Sequence, residues 1–123
     1  FMAPLLTAVF KRAQCEVTLI QDGQEALDRL QRHAWVPLVL IDSMLPRVNG
    51  FELLKALREL PQWNDTRVIF LNDKDQITDL KKAFALGADD YLAKPLNPDE
   101  VLARAQRFFH TKKTTGAGVS QSI

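Results

Sequence analysis

The run V-P-L-V-L-I-D-S-M-L-P-R-V-N-G, from Val36 to Gly50, decides how the rest of the chain is read. Leu38, Val39, Leu40 and Ile41 follow one another without polar alternation, the pattern of a short strand buried on both faces of a helix-covered parallel sheet. The run stops at Asp42. That places a carboxylate at the carboxyl end of a central strand, where open α/β sheets hold ligands and carry chemistry. Helix capping is the alternative job for an aspartate in such a loop. Asn49 and Gly50, however, stand closer to the helical pattern of Phe51, Leu53, Leu54 and Leu57 and are better placed to start that helix. Pro46, Asn49 and Gly50 are the turn formers of the connection.

Upstream, Pro4 suits a first helical position, and Leu5, Leu6, Val9 and Phe10 recur on one face, predicting an amphipathic helix over 4–13. Glu16 to Ile20 alternates and predicts a strand with Val17 and Leu19 on one side; Asp22-Gly23 closes it, and Gln24 to Gln31 returns to helical spacing. Downstream, a helix from Phe51 to about Leu60 is stopped by Pro61, and Val68 to Leu71 is a second continuous apolar run, ending in Asn72 and Asp73. A helix from about Gln76 to Leu86 closes on Gly87 at the C′ position. Asp89 to Ala93 is a short strand ending at Lys94-Pro95, and Asn97 or Pro98 opens a last helix with Val101, Leu102, Ala105, Phe108 and Phe109 on its apolar side. Residues 111–123 have little to bury and read as a linker or disordered tail. The alternation of helix and strand predicts an α/β domain with a parallel sheet and helices on both faces. The order opens on a helix, whereas an α/β unit normally opens on a strand.

The chain's 123 residues, 46% hydrophobic, suffice for one domain with a single core. Sixteen basic residues against fifteen acidic leave a net charge of +1 and no basic stripe, which disfavours direct nucleic-acid binding by this domain. No apolar run has the length of a membrane span and no secretory leader pattern opens the chain. The lone Cys15, beside Val17 and Leu19, reads as a small core residue in a reducing, cytoplasmic compartment. His33 and His110 lie far apart and suggest no metal cluster.

Three strands end in Asp42, Asn72 and Lys94. A parallel sheet brings carboxyl ends to one edge, so these side chains converge although distant in sequence. A carboxylate beside an ammonium suits phosphoryl chemistry: the carboxylate as nucleophile, the lysine balancing charge, and a magnesium ion holding phosphoryl oxygens.

Four stretches carry a resemblance: L-V-L-I-D-S-M-L-P-R-V-N-G-F-E-L-L (Leu38 to Leu54), G-A-D-D-Y-L-A-K-P (Gly87 to Pro95), V-I-F-L-N-D-K-D (Val68 to Asp75) and D-G-Q-E-A-L (Asp22 to Leu27). Over residues 4–110 the chain resembles the receiver domain of bacterial two-component response regulators. The resemblance implies a flavodoxin-like, doubly wound parallel sheet of order 2-1-3-4-5, forming a receiver unit over 1–110. It implies a signalling module rather than an enzyme. Asp42 matches the aspartate that takes a phosphoryl group from a sensor histidine kinase or phosphotransfer protein. Met44 would offer its backbone carbonyl to Mg²⁺ alongside Asp42, Lys94 and Asn72 match phosphoryl-binding positions, and Tyr91 matches the aromatic switch. Asp90, Glu100 and Arg104 resemble charges with which regulators bearing winged-helix outputs form homodimers. An output domain beyond the C-terminus is the corresponding expectation.

Two departures stand out. Asn72 replaces the family's usual Ser or Thr, predicting altered coupling between phosphorylation and output. The family's first strand and its paired acidic residues are not in this sequence, which starts where the first helix starts. Losing a central strand costs an amount comparable to a domain's whole stability. The resemblance therefore implies that an N-terminal segment lies outside the chain, or that a partner or an unusual pairing fills the slot, and that the Mg²⁺ site is weak or incomplete. Two other readings remain in view. One is a degenerate, non-phosphorylated receiver acting as a protein-interaction module. The other, a phosphohydrolase of the haloacid dehalogenase type, is opposed by Met44 where those enzymes resemble one another in carrying a second aspartate.

Overall fold

The computed structural model describes residues 3–32, 36–73 and 77–109. Its elements run α1 (Ala3–Arg12), α2 (Gly23–Arg32), β1 (Leu38–Asp42), α3 (Gly50–Glu59), a 3-10 turn (Pro61–Trp63), β2 (Arg67–Asn72), α4 (Ile77–Ala85), β3 (Asp90–Ala93) and α5 (Pro98–Phe109). The strands form one parallel sheet of order β1-β2-β3.

The unbroken apolar runs divide by parity between two cores. Val39 and Ile41 of β1, with Val68 and Phe70 of β2, face one cluster with Ala26 and Leu30 of α2, Leu53, Leu54 and Leu57 of α3, and Ala83 of α4. Leu38 and Leu40, with Ile69 and Leu71, face the other, with Leu6 and Phe10 of α1 and Val101 and Ala105 of α5. Because successive strand residues point to opposite sides, a run apolar at every position needs a helical layer on each face. The result is the flavodoxin-like, doubly wound arrangement.

Local signals set the boundaries. Asn49 caps α3: its side chain accepts from Glu52 N while Glu52 reaches back to Asn49 N, a complete capping box. Gly50 is required by closeness, since a Cβ there would collide with the Asp42 carbonyl. Gly87 ends α4 at φ +107, the left-handed region that glycine enters without penalty. Asn97 receives the N–H groups of Asp99 and Glu100 as α5 opens on Pro98. Arg58 fastens the far end of the layer, donating to the carbonyls of Gly87, Trp63 and Thr66 and to Asp89 Oδ2.

One element differs from expectation. Glu16–Ile20 carries no strand hydrogen bonds. A strand exists by pairing, β1 pairs only with β2, and among the described residues none offers 16–20 a ladder. Its side chains divide differently too. Ile20 joins the α2/α3 core and Val17 packs on the α1/α5 core, while Leu19 is exposed. Cys15 packs against the α1/α5 core, and burial pushes its thiol pKa up. Gln76, His33, His110 and the tail 111–123 lie outside the described residues.

Candidate functional site

Strand register brings the predicted residues together. Asp42 pairs with Leu71 and Asn72 with Ala93, so the three strands end nearly level. Two backbone bonds carry the ladder past its last pairs: Ser43 N donates to the Leu71 carbonyl and Lys94 N to that of Asn72, each at 2.8 Å. These anchor the residue after Asp42, and Lys94 itself, to β2.

Asp42 Oδ2 lies 2.8 Å from Lys94 Nζ, and the two side chains keep 22% and 27% of their surface in solvent. Asp42 Oδ1 accepts the Met44 N–H at 2.9 Å. One carboxylate oxygen is thus held by a cation and the other by a backbone amide, which orients the group while leaving a face open to a reagent. A charge-assisted pair of this length is strong and directional. Met44 itself projects outward, 68% exposed.

Asn72 lies beside this pair, buried, with its amide turned to other partners. Its Oδ1 accepts from Ser43 Oγ at 2.5 Å, and its Nδ2 donates to Tyr91 Oη at 2.9 Å and to Asp79 Oδ2 at 3.0 Å. Tyr91 is only 8% exposed, its ring stacked near that of Phe70 at 6.4 Å between centroids. Phe70 in turn meets Phe51 at 4.6 Å, and Lys82 of α4 rests 4.4 Å above the Phe51 ring. The sequence reading missed Ser43 and Asp79. Adjacency to Asp42 was the one signal for Ser43; Asp79, in the first turn of α4, looked like an ordinary acid at a helix N-terminus.

Asp90, Glu100 and Arg104 also meet, within one chain. Arg104 forks onto both oxygens of Asp90 at 3.0 and 3.1 Å and lies 3.7 Å from Glu100. Outside this group, Arg47 pairs with Asp22, whose carboxyl also accepts from Gln24 N at the start of α2. The Arg47 guanidinium holds the Asp22 carboxyl below its usual range.

The donor set for a metal is small. Among the described residues no three His, Cys, Asp or Glu side chains form a metal-binding group. Asp42 supplies one carboxylate, which suits a magnesium ion that keeps most of its waters rather than one caged by protein.

The site is thus a parallel sheet wound by helices on both faces with an aspartate–lysine pair at its strand ends. The sequence profile of the response regulator receiver domain matches residues 1–106, and the chain belongs to that family, in two-component signalling. The transcriptional regulatory protein CpxR of Escherichia coli K12 is 39% identical over 103 residues, 84% of this chain and 42% of CpxR. CiaR of Streptococcus pneumoniae is 40% identical over 91 residues, 74% of this chain and 39% of CiaR. The chain thus spans under half the length of these curated relatives. Among solved structures, the receiver domain of the Francisella response regulator 1452 superposes with a TM-score of 0.78 at 31% identity, covering 88% of this chain and 87% of that one. The BeF3-activated DrrB receiver domain gives 0.74 at 32% identity, covering 88% and 90%. Among the described residues no helix is long and apolar enough to cross a membrane.

Proposed function

We propose that this receiver domain, residues 1–110 followed by a tail over 111–123, accepts a phosphoryl group on Asp42 from a sensor histidine kinase or phosphotransfer protein and switches a partner-binding face in response. The observation that carries the reading is the half-open ion pair of Asp42 and Lys94, 2.8 Å apart at the strand ends. A carboxylate oxygen attacks the phosphorus, the bond from phosphorus to the donor breaks, and the electron pair leaves with the donor. An acyl phosphate remains on Asp42. Lys94, already at the carboxylate, then balances charge on the phosphoryl oxygens.

Magnesium belongs to this proposal as a weakly held ion on Asp42 and the Met44 carbonyl. When bound, it neutralises phosphoryl oxygens. The receiver domain of sensor histidine kinase PA1611 from Pseudomonas aeruginosa, solved with a magnesium ion coordinated in its active-site cleft, is 24% identical and speaks for shared fold alone. Tyr91 is the proposed switch: its buried ring and its bond from Asn72 support the assignment.

The output face comprises α4, β3 and α5. A homodimer across it would use Asp90, Glu100 and Arg104, which must then exchange their present partners within the chain. The relatives named as transcriptional regulators support an output domain elsewhere in the full-length protein. A cytoplasmic location follows from this role.

The test is intact mass before and after incubation with Mg²⁺ and acetyl phosphate. The expected result is one phospho-adduct, absent from Asp42→Ala. No adduct on the unsubstituted protein overturns the reading in favour of a receiver that works as an unphosphorylated interaction module.

A further inference from the structure

Asn72 is joined to three side chains from three different segments. Its orientation follows from chemistry: an ionised Asp79 only accepts, so the NH₂ must face it, which turns the carbonyl towards Ser43 Oγ. Both N–H groups are then engaged, one by Asp79 and one by Tyr91. A serine or threonine hydroxyl has a single proton and cannot donate to both; to keep Asp79 it would have to accept from the Tyr91 hydroxyl instead. The amide donates to both at once.

Asp79 belongs to the first turn of α4, a helix lightly held elsewhere. Ala83 is its buried residue, whereas Ile77, Leu80 and Phe84 are 71%, 37% and 43% exposed. Lys82 over the Phe51 ring is a second side-chain tether of this helix among the described residues. A helix that buries so little apolar surface depends on such tethers for its position.

We propose that Asp79 is a positioning residue: through Asn72 it ties the first turn of α4 to the end of β2 and to the buried ring of Tyr91, so that the positions of α4 and Tyr91 are coupled through one amide. The proposal deepens the switch described above and rests on it for its purpose, although the tie itself needs no phosphoryl group. It also fixes a constraint. Any phosphoryl oxygen that draws an N–H from Asn72 takes it from Asp79 or from Tyr91, so phosphorylation at Asp42 competes for one amide with α4 or with the Tyr91 ring.

The chain has a single tyrosine, so fluorotyrosine labelling yields one ¹⁹F resonance that reports on Tyr91. That resonance and the hydrogen exchange of α4 amides are compared, without phosphodonor, in the unsubstituted chain, Asp79→Ala, Asn72→Ala and the double variant. Each single substitution should speed α4 exchange roughly tenfold, the scale of one charge-assisted hydrogen bond, and shift the fluorine signal. The double variant should do no more than either single one, because both remove the same tie. Effects that multiply, or an Asn72→Ala variant with unsubstituted α4 exchange and resonance, overturn the proposal and leave Asp79 acting only on the helix dipole. If Asn72→Ala does not fold, Asn72→Val replaces it. With no polar side-chain atom it must change at least one readout, and an unchanged pair overturns the tie. Intact mass with acetyl phosphate on the same samples reports separately on Asp42, so failure of the phosphoacceptor reading is distinguishable from failure of the tie.

Discussion

Asp42 and Lys94 meet at 2.8 Å with about a quarter of each side chain in solvent, whereas Ser43, Asn72 and Tyr91 beside them are 5%, 5% and 8% exposed. The first pair can change partners cheaply, because water and ions replace a lost contact. The second group cannot: a buried polar atom that loses its partner pays the full desolvation penalty. One half of the strand-end site is thus suited to an incoming reagent, and the other to holding neighbouring elements in a single arrangement.

Substitutions can break or sharpen that contrast. Lys94→Ala should slow phosphorylation by acetyl phosphate roughly 100–1,000-fold, the scale of losing one preorganised charge stabiliser. Its unfolding free energy should move by less than about 1 kcal/mol, and a larger loss in urea denaturation would mean that the pair is structural after all. Asn72→Val should show the opposite profile: the adduct still forms, while stability falls by about 1–3 kcal/mol because Asp79, Ser43 and Tyr91 each lose a bond at once. Ser43→Ala removes one member and leaves the Asn72 carbonyl without that donor, so it should cost about 0.5–1.5 kcal/mol in the same assay. A cost as large as that of Asn72→Val would show that the network is not centred on Asn72.

The smallest effect belongs to the exposed pair of Asp22 and Arg47, a reference for ion pairs outside the site. The folded-state pKa of Asp22 is depressed below its ordinary 3.8, chiefly by its hydrogen bond from Arg47. Its stabilising contribution is therefore present above the unfolded carboxyl's pKa and is lost as the pH falls through the folded one. The urea midpoint of Arg47→Ala should lie slightly below that of the unsubstituted chain near neutral pH. The gap should close on acidification below the ordinary carboxyl range, and also on adding salt. A gap that persists in acid would assign the effect to loop packing around Arg47 instead of charge.

The folding units were legible because each obeys a short-range rule. Unalternating apolar runs marked β1 and β2, Asn49 with Glu52 marked the start of α3, and Gly87 marked the end of α4. Convergence of Asp42, Asn72 and Lys94 was legible because parallel strands of matched length end at one edge. Glu16–Ile20 was misread since alternation shows which faces a segment presents, while strand formation needs a partner backbone that local pattern does not specify.

What the sequence determined by itself was therefore the class of fold, the order of its elements and the residue types gathered at the strand ends, all consequences of periodicity and of the few residues that start or stop an element. Only the tertiary structure decided who bonds to whom there. Asn72 has one carbonyl and two N–H groups, and its partners come from the loop after β1, the first turn of α4 and β3. Hydrogen bonds of that kind depend on ångström distances between segments far apart in the chain, and no spacing along the sequence encodes them.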